Sequence, residues 1–360
     1  MKKILFTSYN LGIGGIEKSL VNLLSEFDYN KYQIDLILQD KDVFYNIDKN
    51  VNIKYYKVLK CGNIIVRKII NRLKIMLTCI LNYHKYDTSI CYATYDIPSS
   101  IITRYASKNN ILWVHSDYLL LYKNDINKTK NFFNKLKINK FKHIVFVSDE
   151  AKNNFTKIYP NLKEKTIVIN NLINYKEIEE KTKTKEKLYN KKNNLVYIGR
   201  LEEESKCLSR LFKTMKMIKE NNKDIHLWLI GDGPDKNKYE QIIEEYDIKN
   251  YVTMLGKKNN PYPYIKQSDA IILVSNYEGF PVIYLEALTL NKNIITTIDV
   301  TSGSLHIKDY AQICKKDSED IYNNIISYFE KKLEVKKFNI NEYNKENIKK
   351  IEDIIGGKND

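Results

Sequence analysis

Cysteine is scarce. Five thiols occur in 360 residues, an odd number, and none is spaced as C-x-x-C. That excludes a disulfide scaffold and paired-cysteine metal modules, and fits a chain kept reduced. Arginine is equally scarce, at five residues against 54 lysines. With no recognition motif beside them, so few arginines argue against a nucleic-acid partner. No apolar run reaches the ~20 residues that span a bilayer. The opening Met1-Lys2-Lys3-Ile4-Leu5-Phe6 has too short an apolar stretch for a secretory leader and reads as a first strand. Six prolines and twelve glycines exclude collagen-like and low-complexity chains. No repeat occurs at solenoid periods, and no histidine pair has metal-ligand spacing.

What is present is a globular composition, 43% hydrophobic and 29% charged, with length enough for two domains. Strand-like runs alternate with patterns of helical period. Lys3–Ser8, Gln33–Leu38, Thr88–Ala93, Asn110–His115, His143–Ser148 and Thr166–Asn171 read as strands of a first half. Tyr175 to Asn194 is almost wholly polar and reads as a linker or an exposed helix. The alternation then restarts, with strands expected at Leu195–Ile198, Ile225–Ile230, Tyr251–Leu255, Asp269–Ser275 and Asn293–Ile298. Such alternation predicts an α/β fold of two doubly wound parallel sheets. The expected domains are 1–172, a polar linker at 173–194, a second domain at 195–335, and a C-terminal helix at 336–360 packing back toward the first. Sheets of this kind bind ligands at the carboxyl ends of their strands.

The sharpest motif is Glu278-Gly279-Phe280-Pro281-Val282-Ile283-Tyr284-Leu285-Glu286. Two carboxylates stand eight residues apart across a strand-to-helix junction. Gly279 allows close backbone approach, and free N–H groups at a helix start bind anions. Gly199-Arg200-Leu201 follows the first strand of the second half, and Lys206 is expected to open the next helix. A planar guanidinium and a point-charge ammonium beside a helix start suit a diphosphate. Gly231-Asp232-Gly233-Pro234 and Gly256-Lys257 mark two further strand ends on the same rim. In the first half, Gly12-Ile13-Gly14-Gly15-Ile16-Glu17 follows the first strand. A dinucleotide fingerprint would need a small residue where Glu17 stands, so an oxidoreductase is disfavoured.

In this order, Gly14-Gly15-Ile16-Glu17-Lys18, Val147-Ser148, Gly199-Arg200, Lys206, Gly231-Asp232-Gly233-Pro234 and the Glu278/Glu286 pair resemble the retaining nucleotide-sugar glycosyltransferases of family 4. The resemblance covers nearly the whole chain. It implies the GT-B fold, two Rossmann-like domains facing across a cleft. One position departs: the family usually has glycine after the diphosphate lysine, and Cys207 stands there. By resemblance, Arg200 and Lys206 hold the donor diphosphate, Glu286 the ribose, and Glu278 the donor sugar. Backbone groups of Gly279 and Phe280 touch sugar or phosphate, Gly256 and Lys257 lie near the nucleobase, and Gly14-Gly15 closes over the diphosphate. His115, at the end of Ile111-Leu112-Trp113-Val114-His115, would lie close to the reacting centre.

The resemblance further implies front-face displacement with retention, from a nucleoside-diphosphate sugar, expected to be a UDP-sugar. The acceptor is expected to be a saccharide, lipid-linked where it serves surface polysaccharide assembly. No cofactor and no metal are expected, and Asp40-Lys41-Asp42 reads as a solvated loop. The alternatives are an inactive sugar-nucleotide-binding partner subunit and a basic membrane-surface scaffold. The basic excess is uneven: residues 1–170 hold 27 Lys+Arg against 14 Asp+Glu, and residues 171–360 hold 32 against 30. No acid occurs between Asp48 and Asp87. Residues 54–85 mix bases with bulky apolar residues, as a helix in the headgroup layer of an anionic membrane would. The expected location is cytoplasmic, peripheral on the inner face of the cell membrane.

Overall fold

The computed structural model describes residues 1–183, 192–302, 305–331 and 336–356. Of the expected linker 173–194, residues 184–191 lie outside the described residues. So do 332–335 and 357–360, at the expected end of the second domain and of the C-terminal helix. The chain divides into unit 1, Met1–Ile173 with Asn341–Asp360, and unit 2, Asn174–Ile340.

Unit 1 is built on seven strands: β1 (Lys2–Ser8), β2 (Tyr32–Leu38), β3 (Val51–Tyr55), β4 (Thr88–Cys91), β5 (Asn109–Val114), β6 (His143–Phe146) and β7 (Thr166–Val168). Their order is β3-β2-β1-β4-β5-β6-β7, all parallel. Parallel strands covered on both faces read as continuous apolar runs. Ile4, Leu5 and Phe6 are accordingly all fully buried. Six helices cross between or follow these strands: α1 (Gly15–Ser25), α2 (Ile64–Leu81), α3 (Ile97–Ala106), α4 (Tyr118–Leu121), α5 (Ile126–Leu136) and α6 (Asp149–Ile158). Asp96, Asp117, Asp125 and Ser148 cap α3, α4, α5 and α6 with side-chain oxygens that accept from first-turn N–H groups.

Unit 2 opens with α7 (Tyr175–Lys181), then β8 (Asn194–Ile198), α8 (Glu203–Lys206), α9 (Leu208–Glu220), β9 (His226–Ile230), α10 (Lys236–Glu245), β10 (Val252–Gly256) and α11 (Tyr262–Gln267). It continues with β11 (Ala270–Leu273), α12 (Val282–Thr289), β12 (Asn293–Thr296), a short hairpin of β13 (Thr301–Ser302) and β14 (Leu305–His306), β15 (Ala311–Ile313) and α13 (Ser318–Lys331). The six-stranded sheet runs β10-β9-β8-β11-β12-β15, again all parallel. The polar stretch, read as a linker or an exposed helix, begins as the helix α7, packed on α11 and α12 with Ile178 fully buried. One local expectation needs correction. Lys206 does not open the long helix. It closes the four-residue α8, and Cys207 turns the chain in a left-handed conformation (φ 49°) before α9 begins.

The last helix, α14 (Ile340–Gly356), packs on unit 1 through Ile351, Ile354 and Ile355. Its side chains meet the backbone where β7 leaves the sheet. Tyr343 Oη donates to Asn171 O at 3.0 Å, Asn344 Nδ2 to Ile173 O at 2.8 Å, and Asn347 Oδ1 accepts from Asn170 N at 3.0 Å. Lys2 Nζ and Asn109 Nδ2 donate to the carbonyls of Gly356 and Ile354, at 2.6 and 2.8 Å. Carbonyls that a helix end leaves without helical partners are thereby satisfied.

Candidate active site

In both sheets the winding reverses beside the first strand, between β1 and β4 in unit 1 and between β8 and β11 in unit 2. Loops part there, and the carboxyl ends of the two strands open a crevice for a ligand. In unit 2 the loops at this point carry Arg200 and Lys206 after β8, and Glu278 after β11.

Lys206 Nζ forms an ion pair with Glu278 Oε1. The same carboxylate oxygen accepts from Ser275 Oγ at 2.6 Å. Both charged side chains are largely withdrawn from water, at 22% and 14% exposure. Neighbouring contacts fix the two loops to each other. Asn276 N donates to Ser205 O at 2.8 Å, and Asn276 Nδ2 to Glu204 O at 2.9 Å. Arg210, one turn beyond Lys206, donates to Val274 O at 3.0 Å and to Asn276 Oδ1 at 2.9 Å. Ser275, Asn276 and Arg210 did not stand out in the sequence. The only signal was an arginine four residues after Lys206, on a chain with so few.

The loop after β9 is pressed against the loop after β8. A Cβ on Gly231 would sit 1.9 Å from Gly199 O, and one on Gly233 would sit 2.3 Å from Leu201 O. Only glycine allows backbones that close. Gly199 N donates to Ile230 O and Leu201 N to Asp232 O, each at 3.0 Å. Arg200 itself points outward, 65% exposed, with Glu202 Oε1 3.6 Å from its Nη1. Gly256 ends β10 with φ 65°, and its carbonyl accepts from Gly231 N at 3.1 Å. Lys257, next in the chain, is exposed.

Gly279 and Phe280 lead into α12, whose N-cap Pro281 supplies no side-chain acceptor. Glu286, one turn into the helix, is buried, and its Oε1 accepts from Tyr262 Oη at 3.2 Å. The structure therefore joins Lys206 to Glu278. It sets Glu286 in a separate contact with the start of α11, and leaves Arg200 on the rim paired with Glu202.

In unit 1, Gly14 and Gly15 form the turn between β1 and α1. The Glu17 carboxylate curls over Gly14 and would be only 2.1 Å from a Cβ there, whereas a Cβ on Gly15 would meet nothing within 4 Å. Burial raises the Glu17 pKa, although its own backbone N–H and the Tyr95 hydroxyl, 2.9 Å from Oε1, favour the charged form. His115 follows β5. Its ring lies 4.4 Å from that of Tyr92 and stacks on Trp113 at 6.5 Å. Burial drives its pKa down to about 3, against a weaker opposing pull from the Tyr92 backbone. The imidazole is neutral at physiological pH, and its buried Nε2 has no hydrogen-bond partner among the described residues. Buried polar atoms are rarely left so, and a ligand hydroxyl is one group that would satisfy it. Asp40 pairs with Lys60. Among the described residues no group of three or more His, Cys, Asp or Glu could hold a metal ion.

Residues 178–346 match the family model described as glycosyl transferases group 1. An uncharacterized glycosyltransferase of Methanocaldococcus jannaschii is 29% identical over 209 residues, 55% of this chain and 50% of that protein. The match thus spans about half the length of the archaeal relative. The N-acetylgalactosamine-N,N'-diacetylbacillosaminyl-diphospho-undecaprenol 4-alpha-N-acetylgalactosaminyltransferase of Campylobacter jejuni is 23% identical over 335 residues, 89% of this chain and 88% of that protein. Among solved structures, Anabaena HepE in complex with UDP and glucose superposes with a TM-score of 0.76 at 14% identity, covering 98% of this chain and all of the other. The chain has the GT-B fold and, over residues 178–346, is similar to the group 1 glycosyl transferases.

Proposed function

We propose that the chain is a retaining glycosyltransferase that moves a hexose-type sugar from a nucleoside-diphosphate donor, a UDP-sugar, to a saccharide acceptor. The observation that carries this reading is the convergence of Lys206 and Glu278 on the switch point of unit 2, from loops after two adjacent strands. A cation and an acid held side by side, largely out of water, suit a ligand that presents phosphate oxygens next to sugar hydroxyls.

Breaking the sugar–phosphate bond builds negative charge on the departing diphosphate and positive charge on the sugar. Groups aimed at the phosphate stabilise that charge as it forms. In this reading Lys206 and Arg200 neutralise the diphosphate, and the N–H groups of Gly279 and Phe280 add to them. Glu278 bonds the sugar hydroxyls and Glu286 the ribose, with Gly256 and Lys257 beside the base. The acceptor oxygen attacks on the face the leaving group departs from, and its proton passes to the departing phosphate oxygen. Configuration is thereby retained without a glycosyl-enzyme and without a metal.

The Campylobacter relative is named for a diphospho-undecaprenol-linked saccharide, and its alignment spans most of both chains. That likeness supports a lipid-linked acceptor in surface polysaccharide assembly, at the cytoplasmic face of the membrane. A panel of nucleotide sugars tested by thermal shift identifies the donor, since a bound donor raises apparent stability by mass action. The anomeric configuration of the product by NMR tests retention. An inverted product overturns retention, and a donor that binds without turning over with any acceptor overturns the reading in favour of an inactive binding subunit.

A further inference from the structure

The helix α2 buries little of its apolar surface: Cys79 and Ile75 pack on a core cluster with Leu5, Ile37, Tyr56 and Ile102, and the rest of its inward side is polar. At 3.6 residues per turn, Arg67, Asn71 and Lys74 share one face, and that face is turned toward unit 1. Arg67 Nη1 donates to Lys60 O at 2.6 Å and Lys74 Nζ to Lys57 O at 2.8 Å. Asn71 brackets Leu59, accepting from its N–H at 2.7 Å and donating to its carbonyl at 3.0 Å. The opposite face carries Ile65, Ile69, Leu73, Met76, Leu77 and Ile80, each between 53% and 65% exposed. An amphipathic helix on a protein ordinarily turns its main apolar stripe to the core. An apolar stripe of this length left in water marks an interaction surface.

The surroundings identify the occupant. Lys68 and Arg72 are exposed along one side of the stripe, and neither has an ion-pair partner among the described residues. No acid occurs between Asp48 and Asp87. A second copy of the same face would bring like charges together. An anionic lipid surface would meet cations with phosphates and cover the stripe with acyl chain. Among the described residues no helix is long and apolar enough to cross a membrane, so α2 would lie along the surface.

We propose that α2 anchors unit 1 to an anionic bilayer by inserting its Ile65–Ile80 face at the headgroup–acyl boundary, with Lys68 and Arg72 at the phosphate level. This inference stands apart from the glycosyl-transfer reading. It also fixes the character of the binding. Two of the four cations on the helix are already held by backbone carbonyls, so insertion, rather than charge, supplies most of the attraction. Screening by salt acts only on the charged part.

The test is co-sedimentation of the full chain with vesicles of phosphatidylglycerol and phosphatidylcholine, and with phosphatidylcholine alone, at low and high salt. The wild type is expected to bind the anionic vesicles and to keep most of its binding at high salt. Combining Ile69→Ser, Leu73→Ser and Ile80→Ser should weaken binding by at least ~100-fold at both salts. Combining Lys68→Gln with Arg72→Gln should weaken it roughly 10- to 30-fold, at low salt only. Unchanged thermal unfolding shows that these surface changes leave the fold intact. Three results would overturn the proposal. They are absent or fully salt-released binding of the wild type, vesicle binding retained by the triple variant, and a dimer in solution that the triple variant dissolves while the wild type ignores vesicles.

Discussion

Lys206 Nζ and Glu278 Oε1 meet as an ion pair although 72 residues separate them, one at the end of α8 and the other in the loop after β11. A diphosphate and Glu278 would compete for the same ammonium. Glu278→Gln removes the competitor, so affinity for nucleoside diphosphate alone, measured by calorimetry, should hold or rise up to about tenfold. Sugar transfer by the same variant should fall. Lys206→Ala should cut turnover by ~10²-fold or more, the usual loss when a charge-stabilising group is removed. Full turnover in Lys206→Ala would remove its assigned role.

Arg200 separates stability from activity. Its side chain is 65% exposed and its ion pair with Glu202 is a long one, so Arg200→Ala should leave the unfolding free energy within about 0.5 kcal/mol of wild type. Turnover should nonetheless fall on the order of 10²-fold. Equal loss in both measurements would mark Arg200 as structural.

Arg210 acts through its neighbours. It ties Val274 and Asn276 to the loop that carries Lys206. Arg210→Lys cannot reproduce the forked pair of hydrogen bonds. A drop in kcat of about tenfold or more is expected from misplacement of the reacting groups, with a loss of ~1–3 kcal/mol in stability. Loss of stability with unchanged kcat would show that the loops hold their places without it.

Burial of His115 depresses its pKa to about 3, below the ~6.5 of the unfolded chain. The unfolded state therefore binds the proton first, and the native state loses stability as pH falls from about 6.5 toward 3. Between pH 7 and pH 5 this group alone should account for about 2 kcal/mol. Urea unfolding at the two pH values, compared with His115→Phe, isolates it. The same sensitivity to acid in the variant would contradict a buried, neutral ring.

Cys207 occupies a left-handed position, φ 49°, between α8 and α9. A side chain there costs about 1 kcal/mol relative to glycine. Cys207→Gly should raise the unfolding midpoint by up to about 2–4 °C and leave Lys206 in place, with activity retained. A lower midpoint would show that the thiol packs more favourably than the backbone strain costs.

The sheet of unit 2 was legible because its signals are local: apolar runs ending in glycines and charges, each a few residues long. Pairing partners were not. Nothing in the chain order says that Lys206 reaches Glu278 in place of solvent, or that Glu286 meets Tyr262. The edge strand β3 escaped notice because Val51-Asn52-Ile53-Lys54-Tyr55 is short and half exposed, and its lysine is held by Asp35 on β2. The helix α7 read equally as linker or exposed helix because Ile178 is its single fully buried apolar anchor. For α2 the helical period was plain but its facing was not. Periodicity gives the faces but not their partners: Arg67, Asn71 and Lys74 bind the carbonyls of Lys60, Leu59 and Lys57, while Ile75 and Cys79 meet the core.

The asparagines and tyrosine of α14 fasten residues 341–356 to the backbone at 170–173, across the whole of unit 2 in chain order. On the ribosome, the N-terminal sheet therefore emerges long before the helix that finishes it. It must wait, with the surface that Ile351, Ile354 and Ile355 will cover still bare, until residues 174–340 have been translated.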